Sequence, residues 1–248
     1  MRSVNHILTA LLLLTATQTS AQGWRIYKNN GSIVDYAYEE VDSIVPFMSP
    51  SEGAEAIDLG LPSGTKWASY NLGASSPKDY GDYFAWGETE TKSDYSWSTY
   101  APGGSAVTSK EACGTSVDLI YQTQGGANTD IARTQYDVVK AQWGSKWKMP
   151  TYAQMKELFD NCSWSQTTLN GVWGFKLSGP NGNSIFLPNA GCYNGTGRSN
   201  LGTAGYYWTS TLHTDVYTAV YLSFNSSSRS ISKGYNRYVG LTIRPVLD

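Results

Sequence analysis

The 248-residue chain carries 18 Lys and Arg against 20 Asp and Glu, a formal net charge of −2, and only 15% of it is charged. This near-neutral balance lacks the basic footprint that a nucleic-acid partner requires, so none is expected. Nine Trp, 18 Tyr and 25 Gly give the composition of a β-rich domain with long, structured loops.

Residues 1–21 read as a secretory signal peptide. Arg2 supplies the positive charge, Ile7 to Ala16 is apolar apart from Thr9 and Thr15, and Thr19-Ser20-Ala21 offers a small-residue cleavage site. The apolar run is too short to cross a bilayer, and no later run is apolar enough, so no membrane-spanning segment is expected. The chain is therefore expected to be exported, to a periplasmic, cell-surface or extracellular place.

Residues 22–47 form the next unit, with short β-prone runs either side of Asn29-Asn30-Gly31. An Asn-Gly pair there predicts a β-hairpin in which Ile26 shares a face with Ile33 or Val34. Residues 48–56, small and polar with Pro50 and Gly53, read as a linker. The main domain is expected over 57–248. It opens on Trp67 and Leu72 around a tight turn at Pro62-Ser63-Gly64.

The stretch Tyr80 to Ser105 is aromatic, acidic and rich in turn residues. Asp79, Asp82, Glu88, Glu90 and Asp94 are oxygen ligands of the type calcium takes, but they lack the EF-hand spacing and read as a solvated loop. Two helices are predicted next. Asp130 to Trp143 places Ile131, Val138, Val139 and Trp143 at roughly helical spacing, with Gly144 as the stop. In the second, Thr151 and Gln154 make a capping-box pattern, and Met155, Leu158, Phe159 and Cys162 fall at i, i+3, i+4 and i+7.

Beyond Cys162 the pattern turns to strand. Phe175 and Leu177 alternate with polar neighbours before a Pro180-Asn181-Gly182-Asn183 turn, as do Ile185 and Leu187 after it. Gly191 to Gly205 reads as a long loop. Three more strands are expected at "YYWTST", "AVYLSF" and "VGLTIRPV", and in the last, Val239 to Val246, apolar residues alternate as in a half-buried strand. The cysteines Cys113, Cys162 and Cys192 have no metal-ligand spacing and read as three buried thiols, with one disulfide plus a free thiol as the alternative.

The motifs "DLGLPSGTKWASYNLGA", "YGDYFAWGET", "WKMPTYAQMKEL", "GPNGNSIFLPNAG", "GYYWTST" and "VGLTIRPV" occur in an order that resembles the Fibrobacter succinogenes major paralogous domain family. That family is abundant in secreted proteins of gut Bacteroidetes. It is similar to proteins of C-type-lectin-like fold, including formylglycine-generating-enzyme domains and the variable proteins of diversity-generating retroelements. The resemblance implies an α+β fold, two helices packed on a twisted antiparallel sheet with long irregular loops.

The same resemblance does not carry over a chemistry. A formylglycine-generating enzyme calls for a close cysteine pair near the C-terminus, which this chain lacks. With His6 removed alongside the signal peptide, His213 is the single histidine left. That is too few for an ordinary zinc site, and no GxSxG elbow accompanies it. The calcium-binding Glu-Pro-Asn and Trp-Asn-Asp tripeptides of C-type lectins are missing too. No catalytic residue, metal or cofactor is therefore expected.

In the retroelement variable proteins, exposed positions of the C-terminal stretch change while the strand core is kept. By that resemblance Trp208, Ala219, Leu222, Phe224, Leu241, Ile243 and Arg244 are framework. The candidate ligand-binding set is Tyr193, Asn194, Arg198, Asn200, His213, Tyr217, Tyr221, Ser223, Asn225, Ser226, Ser228, Ser230, Tyr235, Asn236 and Arg237. Its Tyr, Ser, Asn and Arg composition is that of a paratope, in which rigid aromatic area sits among adaptable hydrogen-bonding groups. The expectation is an exported, non-enzymatic, adhesin-like module that presents its C-terminal loops and strand face to a protein or glycan ligand, with a diversified variable protein as one form of it. The alternatives are an assembly subunit of a surface complex docking through the hairpin, and a carbohydrate-active or formylglycine-generating-type enzyme.

Overall fold

The structure is a computed structural model that describes residues 23–27, 33–37, 54–126 and 129–248. The chain divides into two units, residues 1–47 and 48–248. In the first, β1 (Gly23–Tyr27) pairs antiparallel with β2 (Ile33–Ala37) in a register that sets Ile26 against Val34. Arg25 and Asp35 join the strands through two hydrogen bonds of 2.7 and 2.8 Å. The predicted signal peptide, the Asn-Gly turn and linker residues 48–53 lie outside the described residues. Ala56, assigned above to the linker, already belongs to a strand.

Over its described residues the second unit mixes three short helices with antiparallel sheets, an α+β arrangement. β3 (Ala56–Asp58) and β4 (Lys66–Ala68) flank the Pro62-Ser63-Gly64 turn, where Gly64 adopts φ +74° and donates its N–H to Leu61 O. The helices are α1 (Leu119–Gln124), α2 (Val138–Trp143) and α3 (Tyr152–Asn161). Around α3 the capping box forms as expected. Thr151 Oγ1 accepts from Gln154 N and Gln154 Oε1 accepts from Thr151 N, satisfying two donors at the helix end. Met155, Leu158 and Cys162 are buried along its inner face.

The helix expected over Asp130 to Trp143 is shorter. Asp137 acts as its N-cap, accepting from Val139 N and Lys140 N, and Arg133 sits in the left-handed region at φ 64°. A side chain that caps at 137 ends the helix there, so Ile131 is buried from an irregular turn. Helix α1 was not expected. Its N-cap, Asp118, accepts from Tyr121 N and has a larger role described below.

Next, β5 (Ser163–Leu169), β6 (Val172–Ser178) and β7 (Ser184–Pro188) form one antiparallel sheet. Strand β5 escapes sequence reading because its residues, SWSQTTL, are mostly polar. The expected loop after Gly191 holds a ribbon, β8 (Cys192–Asn194) against β9 (Gly197–Ser199). The last sheet orders β10 (Ala204–Leu212), β11 (Thr218–Asn225) and β12 (Arg229–Asn236). One face of this sheet buries Tyr207, Leu222, Phe224 and Ile231 with Met155 and Leu158 of α3; the other buries Trp208, Leu212 and Ala219. Gly205 lies under the Phe224 ring, which a Cβ would meet at 2.1 Å, so only glycine admits that contact.

The closing run corrects the simplest expectation. Residues 239–246 are buried throughout rather than on alternate positions, and only β13 (Val246–Leu247) is regular strand. The segment instead threads between elements. It bridges Tyr193 at Gly240, Phe84 at Leu241 and Tyr207 at Thr242, and it accepts from Leu72 N at Ile243 O and from Ala68 N at Pro245 O. Each buried Leu, Ile or Val of this spine contributes about 1.5–3 kcal/mol, an upper estimate for a compact unfolded chain.

Candidate functional site

The candidate residues separate into four places. The first is the face of the last sheet that carries Trp208. Cross-strand pairs set Tyr206 against Ser223, Trp208 against Tyr221, Tyr221 against Lys233, Ala219 against Tyr235, and Ser223 against Ser230. Directly opposed residues share a face, so Tyr221, Ser223, Ser230 and Tyr235 stand together. Tyr206 and Lys233, which are not in the predicted set, join them.

A register shift between Tyr221 and Ser223 puts three steps of β12 against two of β11. That bulge reverses the alternation along β12. Ile231 therefore points to the α3 side, while Tyr235, an even number of residues away, points to the tyrosine face.

The three tyrosines are half-buried and lie side by side. Tyr221 and Tyr235 stack at 5.1 Å and 26°, and Tyr206 lies 6.2 and 6.3 Å from them at 34°. Trp208 meets Tyr221 edge-on beneath. Burial pushes all three phenols above their ordinary range, so they remain neutral hydrogen-bonding groups. Cys192 is buried in the same cluster, and burial pushes its thiol up as well.

The second place is the β8–β9 ribbon, which opposes Tyr193 to Arg198. The Arg198 guanidinium lies over the rings of Tyr83 (5.2 Å) and Tyr193 (5.1 Å), and its Nη2 donates to Tyr193 Oη at 3.1 Å. Tyr193 stacks on Tyr95 at 5.5 Å and meets Tyr83 edge-on at 5.0 Å. Asn194 is exposed in the ribbon's turn. Asn200, at φ 58°, donates Nδ2 to Tyr206 Oη at 3.0 Å and so ties the ribbon to the tyrosine face.

The other two places are the ends of the sheet. At one, Asn225 Oδ1 accepts from Ser227 N and Ser228 N, holding the β11–β12 turn in which Ser226 and Ser228 are exposed. There Arg229 lies over Trp164 and Phe159, on the α3 side. At the other end, His213 Nδ1 accepts from Asp215 N, and Tyr217 carries Lys110 over its ring at 4.0 Å. Asn236 is half-buried beside them and accepts at its backbone O from Val239 N.

Arg237 is a correction. It was expected on the binding surface and is 0% exposed. Nη1 and Nη2 donate to the two carboxylate oxygens of Asp118 at 2.8 and 3.0 Å, Nε donates to Tyr100 Oη, and the guanidinium lies 5.3 Å over Trp86 and Tyr100. Nη1 donates also to Val216 O, so each guanidinium nitrogen is engaged in the core and none is presented at the surface. Arg244, expected in the framework, is buried as well, donating to Asn71 Oδ1, Ala68 O and Phe186 O.

Two of the acidic loop residues are engaged by protein donors: Ser75, Ser76 and Lys78 hold Asp79, while Lys92 and Ala101 N hold Glu88. All three cysteines are free thiols. Two clefts open elsewhere. One of about 390 Å³ lies between Glu88–Lys92 and Thr99–Gly104. Another of about 520 Å³ lies beside β3 and the outer face of the β5–β7 sheet. Neither is lined by a residue of the predicted set. No helix among the described residues is long and apolar enough to cross a membrane.

A signal for Tyr206 was present in "YYWTST", where Tyr206 and Trp208 share alternation. Lys233 gave none, because the bulge hides its face. No protein-family model, curated protein or solved structure matches the chain.

Proposed function

We propose that residues 54–248 form a ligand-binding module of an exported chain, adhesin-like and without catalysis, presenting the last sheet and the β8–β9 ribbon to its ligand. The observation that carries this reading is the set of Tyr206, Tyr221 and Tyr235, half-buried and side by side among Ser223, Ser230, Asn200 and Lys233. Half-buried, mutually stacked rings have little rotamer freedom left to lose, and that lowers the cost of binding. Hydroxyls and amides around them supply adjustable hydrogen bonds. The three helices, the antiparallel sheets and the long structured loops support reading the architecture as C-type-lectin-like, with the motif order described above.

The test is a screen of the full chain against glycans and surface proteins, repeated with the double variant Tyr206→Ala, Tyr221→Ala. Capture by the native chain and its loss in a folded double variant support the reading. Undiminished capture by the folded variant sinks it.

A further inference from the structure

Arg198 is held in an unusual way for an exposed arginine. Two rings support its guanidinium, and both are fixed from behind: Tyr83 Oη donates to Ala190 O, and Tyr95, on which Tyr193 stacks, donates its hydroxyl to Tyr83 O. One Nη2 contact goes to Tyr193 Oη. The remaining N–H groups have no protein acceptor, and no carboxylate pairs with Arg198 among the described residues.

A guanidinium stem already ordered by cation–π contact, with its fork unmatched, is a receptor for a planar anion. Much of the entropy that a free arginine loses on binding is already lost here. Across the ribbon, linked by the Asn200–Tyr206 bond, lie the tyrosine face and Lys233, a second cation with no ion pair among the described residues.

We infer that Arg198 reads a carboxylate on an acidic glycan, whose sugar rings lie against the adjoining tyrosines. This rests on the ligand-binding reading above and names its ligand class. A sugar ring is favoured over an acidic peptide because the neighbouring surface offers aromatic faces for C–H groups. Asn200, Ser223 and Ser230 lie beside those faces and offer partners for hydroxyls.

The experiment prints uronic- and sialic-acid glycans beside their methyl-esterified counterparts, with oligoglutamate as a third arm, and probes them with the full chain. The expected result is a preference of about tenfold or more for the free acid. Arg198→Met abolishes that preference, and Arg198→Lys restores only part of it because a point charge replaces a fork. Near-UV circular dichroism checks that each variant is folded.

Glycan binding with no preference for the acid overturns the inference and leaves the binding module standing. Equal capture of oligoglutamate overturns the glycan assignment. Absence of any glycan binding, together with an empty protein screen, overturns the module itself.

Discussion

Arg237 and Asp118 form a bidentate ion pair in which neither side chain is exposed. The pair fastens the segment after β12 to the start of α1, where Asp118 also accepts from Gly114 N and Tyr121 N. Burial alone would raise the Asp118 carboxyl, but the hydrogen bonds and charge of Arg237 outweigh it and hold it below its ordinary 3.8.

Removing one partner leaves the other charged and buried. Asp118→Asn or Arg237→Met is expected to cost about 3–5 kcal/mol in urea unfolding at neutral pH. Because the folded carboxyl titrates below its unfolded value, the stabilisation is complete above about pH 4 and is lost as pH falls through the folded pKa. The native chain should therefore lose stability below that point more steeply than Asp118→Asn. Equal acid sensitivity of the two proteins would show that the pair is not the titrating element.

The tyrosine face separates binding from folding. Tyr221→Ala removes a half-buried ring and should cost about 1–2 kcal/mol, while lowering ligand capture by at least about tenfold. Tyr207→Ala, on the opposite face and fully buried against Phe224, should cost about 3–5 kcal/mol. Thermal melts of the two variants check the difference. A comparable loss in both would place Tyr221 in the core.

Burial pushes the thiols of Cys113 and Cys162 up to about 11, and Cys192 is raised by the same cause. A thiol reagent at about pH 8 should therefore leave the native chain unmodified and label all three cysteines in denaturant. Rapid labelling of the native chain, or intact mass showing a disulfide, contradicts the arrangement.

Arg244 satisfies three buried oxygens from two segments, Ala68 to Asn71 and Phe186 of β7, and among the described residues no carboxylate pairs with it. Arg244→Lys keeps the charge but cannot reach all three acceptors from one nitrogen. It should destabilise the domain by about 2–4 kcal/mol, measured by chemical denaturation. Near-neutral behaviour of Arg244→Lys would mean that the fork geometry contributes little.

Local patterns were legible wherever a local physical cause acts. The Thr151–Gln154 capping box, the buried stripe of α3 and the alternation of β6 and β7 depend on neighbours a few residues away. Strand β12 was hidden because Ser, Lys, Gly and Asn have little strand preference and the bulge breaks the period of two. The run from Val239 to Val246 looked half-buried because Thr242 and Arg244 are polar, yet both are buried with their hydrogen bonds satisfied.

Arg198 and Arg237 show where sequence stops deciding. Both are arginines beside tyrosines in polar stretches of similar composition. Asp118, 119 positions away in sequence, reaches Arg237 and draws it into the core. Among the described residues no acid reaches Arg198, and its charge stays at the surface between two rings. Residue types, helix caps and alternation came from the chain itself. Which arginine is structural and which is free was decided by long-range pairing, since only a distant carboxylate can offset the cost of burying a charge.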